Sequence, residues 1–210
     1  MPANRILFVL VIAICMSCPL LHATDYEITA NFNNAIILPI TLNIKDGTAI
    51  SKTMEVTETF DVKDQRWLHD ETEKWVTLEE SEDIMKKAKE RSQEQLKTKP
   101  KEETDFVRWA LNPEFEITEE DGAIIFKSGR VDYRCEVTKP KYDATDFYRF
   151  ARLNSCKKAI VQRRVPPYAE LKVLEELEKR KVIPSKMRIE IVGIKGGPIV
   201  EMTYKEVVPE

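Results

Sequence analysis

The stretch from Asp143 to Pro184 constrains the fold most, because it reads as a long helix, a proline break and a second helix set between two groups of strand-like segments. Asp143 can accept a bond from one of the unpaired backbone N–H groups of a helix start near Ala144, and Asp146 adds negative charge at the positive helix end. Phe147, Phe150, Ala151, Leu153, Ile160 and Val161 then recur at spacings of three and four, which gathers them on one broad helical face suited to lie on a sheet. Pro166-Pro167 ends this run, since neither proline donates a backbone hydrogen bond. Tyr168, Leu171, Val173, Leu174 and Leu177 rebuild an apolar stripe in a second helix that stops before Pro184. Asn154 and Lys158 interrupt the apolar face of the first helix. Either they make a polar contact inside a ligand cavity, or Asn154 bonds to nearby backbone while the Lys158 stem lies on apolar surface with its ammonium in water.

The chain opens with the parts of a secretory signal: Arg5, an uncharged run from Ile6 through Ile14, and Leu21-His22-Ala23 before an expected cut. The apolar run is shorter than the roughly 20 residues that span a bilayer. Residues 1–23 are therefore expected to be a signal peptide and residues 24–210 one domain, exported to the periplasm or beyond, with no stable membrane span after cleavage; the alternatives are a retained anchor and a lipidated Cys18. Cys15-Met16-Ser17-Cys18 belongs to the targeting segment and is set aside as a redox or metal motif. Removing Arg5 leaves 32 basic against 36 acidic residues, a formal charge of −4 that argues against a nucleic-acid partner.

Alternation marks strands at Tyr26–Phe32, Ile36–Lys45 and Ile50–Val62, with Asp46-Gly47 as the turn between the last two. Arg66–His69 and Lys74–Thr77 read as a hairpin. Thr77 and Glu80 form a capping-box pattern that predicts a charged surface helix over 78–96. A linker over 97–103, a short helical turn near Phe106–Leu111, a three-stranded meander from Phe115 to Val137 and a closing hairpin of Met187–Val192 with Ile199–Val207 complete the reading. The expected fold is α+β: an antiparallel sheet of roughly eight strands covered on one face by the helix pair 143–182.

Chemistry is sparse. His69 is the one histidine after residue 23, so a hydrolase would have to use it as general base with a nucleophile such as Ser81, Ser128 or Ser155, none of which sits in a nucleophile motif. One histidine and two cysteines without metal spacing cannot build a zinc site, and Glu119-Glu120-Asp121 lacks a calcium-loop pattern, so no metal or cofactor is expected. Cys135 and Cys156 either form a disulfide, if the first helix packs over the last meander strand, or remain buried thiols. Trp67, Trp75 and Trp109 divide between core and an exposed platform, with core expected for Trp75 and Trp109 and Trp67 open to both. The expected function is a non-catalytic binding or scaffolding domain for an unknown protein. The alternatives are a carrier for a lipid or other apolar ligand, with Trp67, Tyr133, Phe147, Phe150, Asn154 and Lys158 as binding candidates, and a hydrolase using His69.

Arg66-Trp67, Trp75-Val76-Thr77-Leu78, Leu111-Asn112-Pro113, Val131-Asp132-Tyr133, Pro166-Pro167 and Ile183-Pro184-Ser185-Lys186-Met187 together resemble a family of uncharacterised exported proteins of planctomycete bacteria. That resemblance implies a bacterial exported origin and carries no activity. In architecture alone, meanders crossed by helices after a signal are similar to periplasmic lipoprotein carriers, in which a curved sheet and helices enclose an apolar ligand.

Overall fold

The computed structural model describes residues 24–33, 36–54, 56–69, 71–162, 166–192 and 199–207. The expected signal peptide and the glycine-rich turn at 193–198 lie outside these residues. Eleven strands form one antiparallel sheet: β1 (Thr24–Phe32), β2 (Ile36–Lys45), β3 (Thr48–Lys52), β4 (Thr57–Asp61), β5 (Arg66–His69), β6 (Lys74–Thr77), β7 (Glu116–Glu120), β8 (Ala123–Lys127), β9 (Val131–Thr138), β10 (Ile183–Ile191) and β11 (Ile199–Val207). Their spatial order is β6-β5-β4-β3-β2-β1-β11-β10-β9-β8-β7. The last strand thus joins two meanders, pairing Ile28 with Tyr204 on one side and Met187 with Met202 on the other.

Local chemistry sets the strands and turns. Tyr26, Ile28 and Ala30 are buried while Glu27 and Thr29 face solvent, the two-residue period of a strand with one covered face. Asp46 (φ 52°) and Gly47 (φ 78°) take the left-handed backbone that a tight hairpin turn requires. A Cβ on Gly47 would stand 2.8 Å from the Lys63 Cβ, so this position needs glycine twice over.

Four helices complete the described residues: α1 (Leu78–Leu96), α2 (Lys101–Leu111), α3 (Thr145–Val161) and α4 (Tyr168–Lys179). The capping box at α1 is complete, with Glu80 N donating to Thr77 Oγ1 at 3.1 Å and Thr77 N to Glu80 Oε2 at 2.8 Å. Asp143 Oδ1 accepts from Thr145 N at 3.0 Å and from its hydroxyl at 2.7 Å, tying down the start of α3. The α3 face then meets the sheet: Phe147 packs on Tyr26 and Phe150 edge-on to Phe60, each with ring centroids 5.0 Å apart. Val173, Leu174 and Leu177 of α4 enter the same core, and Arg152–Glu178 pairs α3 with α4. Tyr148 Oη donates to the Val182 carbonyl at the entry to β10. Among the described residues no helix is long and apolar enough to cross a membrane.

Several expectations change. The sheet has eleven strands rather than roughly eight. The segment 50–62 is two strands, because Thr53 N bonds to Val56 O at 2.9 Å and reverses the chain. Met54 and Val56, whose alternation suggests inward positions, are consequently exposed. The helix at 106–111 starts at Lys101, so the end of the expected linker, 101–103, is helical. β10 begins at Ile183 and carries Pro184, tolerated because the pairing with β9 bulges between Pro184 and Lys186. Val161 at the end of α3 is exposed, its turn having passed beyond the sheet.

Replacing Thr77 with Ala removes the acceptor for Glu80 N and is expected to lower stability by about 1 kcal/mol. Urea unfolding followed by tryptophan fluorescence measures it, and an unchanged midpoint would show that the box contributes nothing here.

Candidate functional site

Residues from the sheet and from both α3 and α4 line a cavity of about 130 Å³. The helical contribution follows from spacing: Phe147, Phe150, Ala151, Asn154 and Lys158 recur every three or four residues and share one face of α3. α4 adds Glu170 and Leu174. On the sheet side Ile28 and Ile40 are direct partners, and Met187 pairs with Met202, so each pair presents two side chains on one face. Tyr204, Pro184, Ser51, Thr53 and Glu58 complete the lining.

Interiors normally pack without voids of this size. A similar volume in an apolar core admits benzene, whereas complete ligand sites usually start near 300 Å³. The apolar sheet face continues outward along the register. Ala30 faces Leu38 and Phe32 faces Ile36, each pair two residues farther along the same face as Ile28 and Ile40. Phe32 is 37% and Ile36 56% exposed, so an apolar strip leads from the lining to the end of the sheet.

Polar groups interrupt this lining in a specific way. Asn154 Oδ1 is shielded from solvent and has no hydrogen-bond partner among the described residues. An unsatisfied buried acceptor costs about 1–3 kcal/mol. Asn154 lines the cavity, and its carbonyl oxygen accepts no bond from neighbouring backbone among the described residues. Desolvation raises the Glu170 carboxyl above its ordinary range, an effect that the neighbouring Ser155 hydroxyl and the charge of Lys158 partly offset. Burial likewise pushes the Tyr204 phenol upward, reinforced by the Glu170 charge. Lys158 itself remains exposed at the lining.

Beside the cavity stands a feature that helical periodicity alone does not reveal. Lys157 is 2% exposed and its ammonium lies 3.0 Å from Glu58 Oε1, within 5.6 Å of the Phe60 ring centroid and 5.7 Å of that of Trp67. The signal available in the sequence was position: residue 157 follows Phe150 by seven, two helical turns on the apolar face. Its lysine identity argued against burial, and Glu58 arrives from a strand nearly a hundred residues earlier.

Phe147, Phe150, Asn154 and Lys158 therefore meet around one space, while Trp67 and Tyr133 stand outside its lining. Trp67 is fully buried and donates from Nε1 to Ser81 Oγ at 3.0 Å. Tyr133 packs edge-on to Phe115 with centroids 5.8 Å apart. Trp75, expected in the core, is 42% exposed beneath the Arg66 guanidinium, because β6 is a sheet edge.

His69 stacks on Trp67 rather than on a nucleophile, with centroids 5.6 Å apart. The hydroxyls of Ser81, Ser128 and Ser155 donate to the backbone carbonyls of Thr77, Val131 and Ala151. Among the described residues no group of three metal-ligating side chains occurs. Cys135 and Cys156 are buried free thiols, and desolvation pushes each up to about 12. No protein-family model matches the chain, and no curated protein matches it in sequence.

Two outcomes follow from these environments. Glu170 binds its proton more tightly folded than unfolded, so its ionisation opposes folding. That penalty is absent below the ordinary value of 4.5 and grows as pH rises above it. Glu170→Gln should thus unfold at higher urea than the parent at pH 7, with the gap closing below about pH 4.5; a gap independent of pH would assign the effect to packing. Cys135 and Cys156 should resist alkylation in the native protein and both react in denaturant without a reductant, read as two mass additions beyond residue 23.

Proposed function

We propose that this chain is an exported, non-catalytic carrier that holds an apolar ligand between its antiparallel sheet and the α3–α4 pair. In this reading the helix pair covers one face of the sheet and the cavity is its binding site. The single observation that carries it is the space of about 130 Å³ lined by Phe147, Phe150, Met187 and Met202. A scaffold that binds through its outer surface has no use for such a void, which forfeits dispersion contacts on every side.

The size of the ligand is set by two features. The cavity as it stands admits the end of an acyl chain or a small ring. Met187 and Met202 can repack around a larger one, since methionine has flexible χ angles and a soft thioether. The strip Ala30–Leu38 and Phe32–Ile36 then offers a path along which a longer chain leaves the cavity. Export rests on the Arg5, Ile6–Ile14 and Leu21-His22-Ala23 pattern.

Native mass spectrometry of protein exported from a bacterial host, with solvent extraction, tests the reading. An apolar adduct at one per chain is expected, lost on denaturation. Ala151→Trp projects a large ring into the cavity and should abolish the adduct while the protein still folds, at a cost of about 1–3 kcal/mol. A bare mass in the parent protein, with no uptake of octanol or octanamide in solution, would overturn the carrier and leave a scaffold.

A further inference from the structure

We infer that the ligand carries an uncharged hydrogen-bond donor, a hydroxyl or an amide N–H, and presents it to the side-chain oxygen of Asn154. The inference rests on the carrier reading and narrows it to a chemical class. Asn154 lines the cavity, and its Oδ1 is shielded from water and accepts no bond among the described residues. A buried amide oxygen has room for two donors, and a ligand in the cavity can bring them. Phe150 and Ala151, on the same helical face, have apolar side chains and supply none.

Charge decides which donor. Glu170 and Glu58 also line the cavity, and Glu58 is engaged by Lys157. An ionised carboxylate on the ligand brings acceptors alone, so it leaves Asn154 unsatisfied and adds a negative charge beside the carboxyl groups of Glu58 and Glu170. An ammonium group supplies donors but takes a full charge out of water, which costs far more than moving a hydroxyl or amide. A neutral donor satisfies Asn154 and leaves the existing balance of Glu58, Lys157, Lys158 and Glu170 untouched. Plain hydrocarbon fills the space but leaves the oxygen as it is.

Four eight-carbon probes separate these cases by displacement of a fluorescent apolar dye from the exported protein: octanol, octanamide, methyl octanoate and octanoate. Octanol and octanamide should bind about tenfold tighter than the methyl ester, which accepts but does not donate. Asn154→Leu keeps the shape, removes the acceptor, and should bring alcohol and amide down to the affinity of the ester while leaving the ester unchanged. Equal affinity of alcohol and ester in the parent protein overturns the inference even if the variant does not fold. So does a preference that survives Asn154→Leu, and so does tightest binding of octanoate, which would assign the head group to Lys158. If none of the four displaces dye, the carrier reading fails and takes the inference with it; binding without discrimination leaves the carrier standing and removes the donor alone.

Discussion

The insertion of β11 between β1 and β10 is the constraint on which the remaining structure depends. Each of the two meanders would otherwise end in an open row of backbone donors and acceptors. β11 satisfies both rows at once, from Asp25↔Val207 to Phe32↔Val200 on one side and from Lys186↔Thr203 to Glu190↔Ile199 on the other. It does so with the most distant part of the described chain, so the sheet is complete only when residues 24–32 and 199–207 meet. Such non-local pairing carries a large loop-closure cost before any contact compensates it.

Once the eleven strands are joined, their apolar face needs a cover, and the aromatic side chains of α3 supply the contacts. Phe147 reaches Tyr26 and Tyr204 near the centre of the sheet, while Phe150 reaches Phe60 three strands away from β1. Leu174 and Leu177 of α4 join the same cluster as Phe126 and Tyr133 from the opposite meander. Residues of α3 and α4 thus share one buried cluster with residues of both meanders. The space left among these contacts has Asn154, Lys158, Glu170 and Glu58 set among largely apolar side chains.

Lys157 and Glu58 show how the fold accommodates charge at depth. An ion pair taken out of water gains stability only when geometry and further contacts offset desolvation. Here the ammonium has a carboxylate at 3.0 Å and two aromatic rings beside it, Phe60 and Trp67, whose faces attract a cation. The pair ties α3 to β4 at the border of the cavity.

Much of the fold was legible because its signals are local. The capping box at Thr77 and Glu80 marked the start of a helix that runs over 78–96 as expected, and Asp46-Gly47 marked its turn through backbone angles that few residues adopt. The periodicity of α3 likewise grouped Phe147, Phe150, Asn154 and Lys158, four residues that do line one cavity. The failures share a cause. Whether Ile50–Val62 is one strand or two, whether Trp75 is core, and whether Trp67 and Tyr133 touch the cavity depend on which strand lies at an edge and what packs across it. The sequence by itself determined helix faces, caps and turns, since these follow from hydrogen bonds and side-chain spacing within a few residues. The position of β11, the burial of Lys157 against Glu58 and the unsatisfied oxygen of Asn154 were decided by the tertiary structure alone, because each requires groups far apart in the chain to compete for the same space.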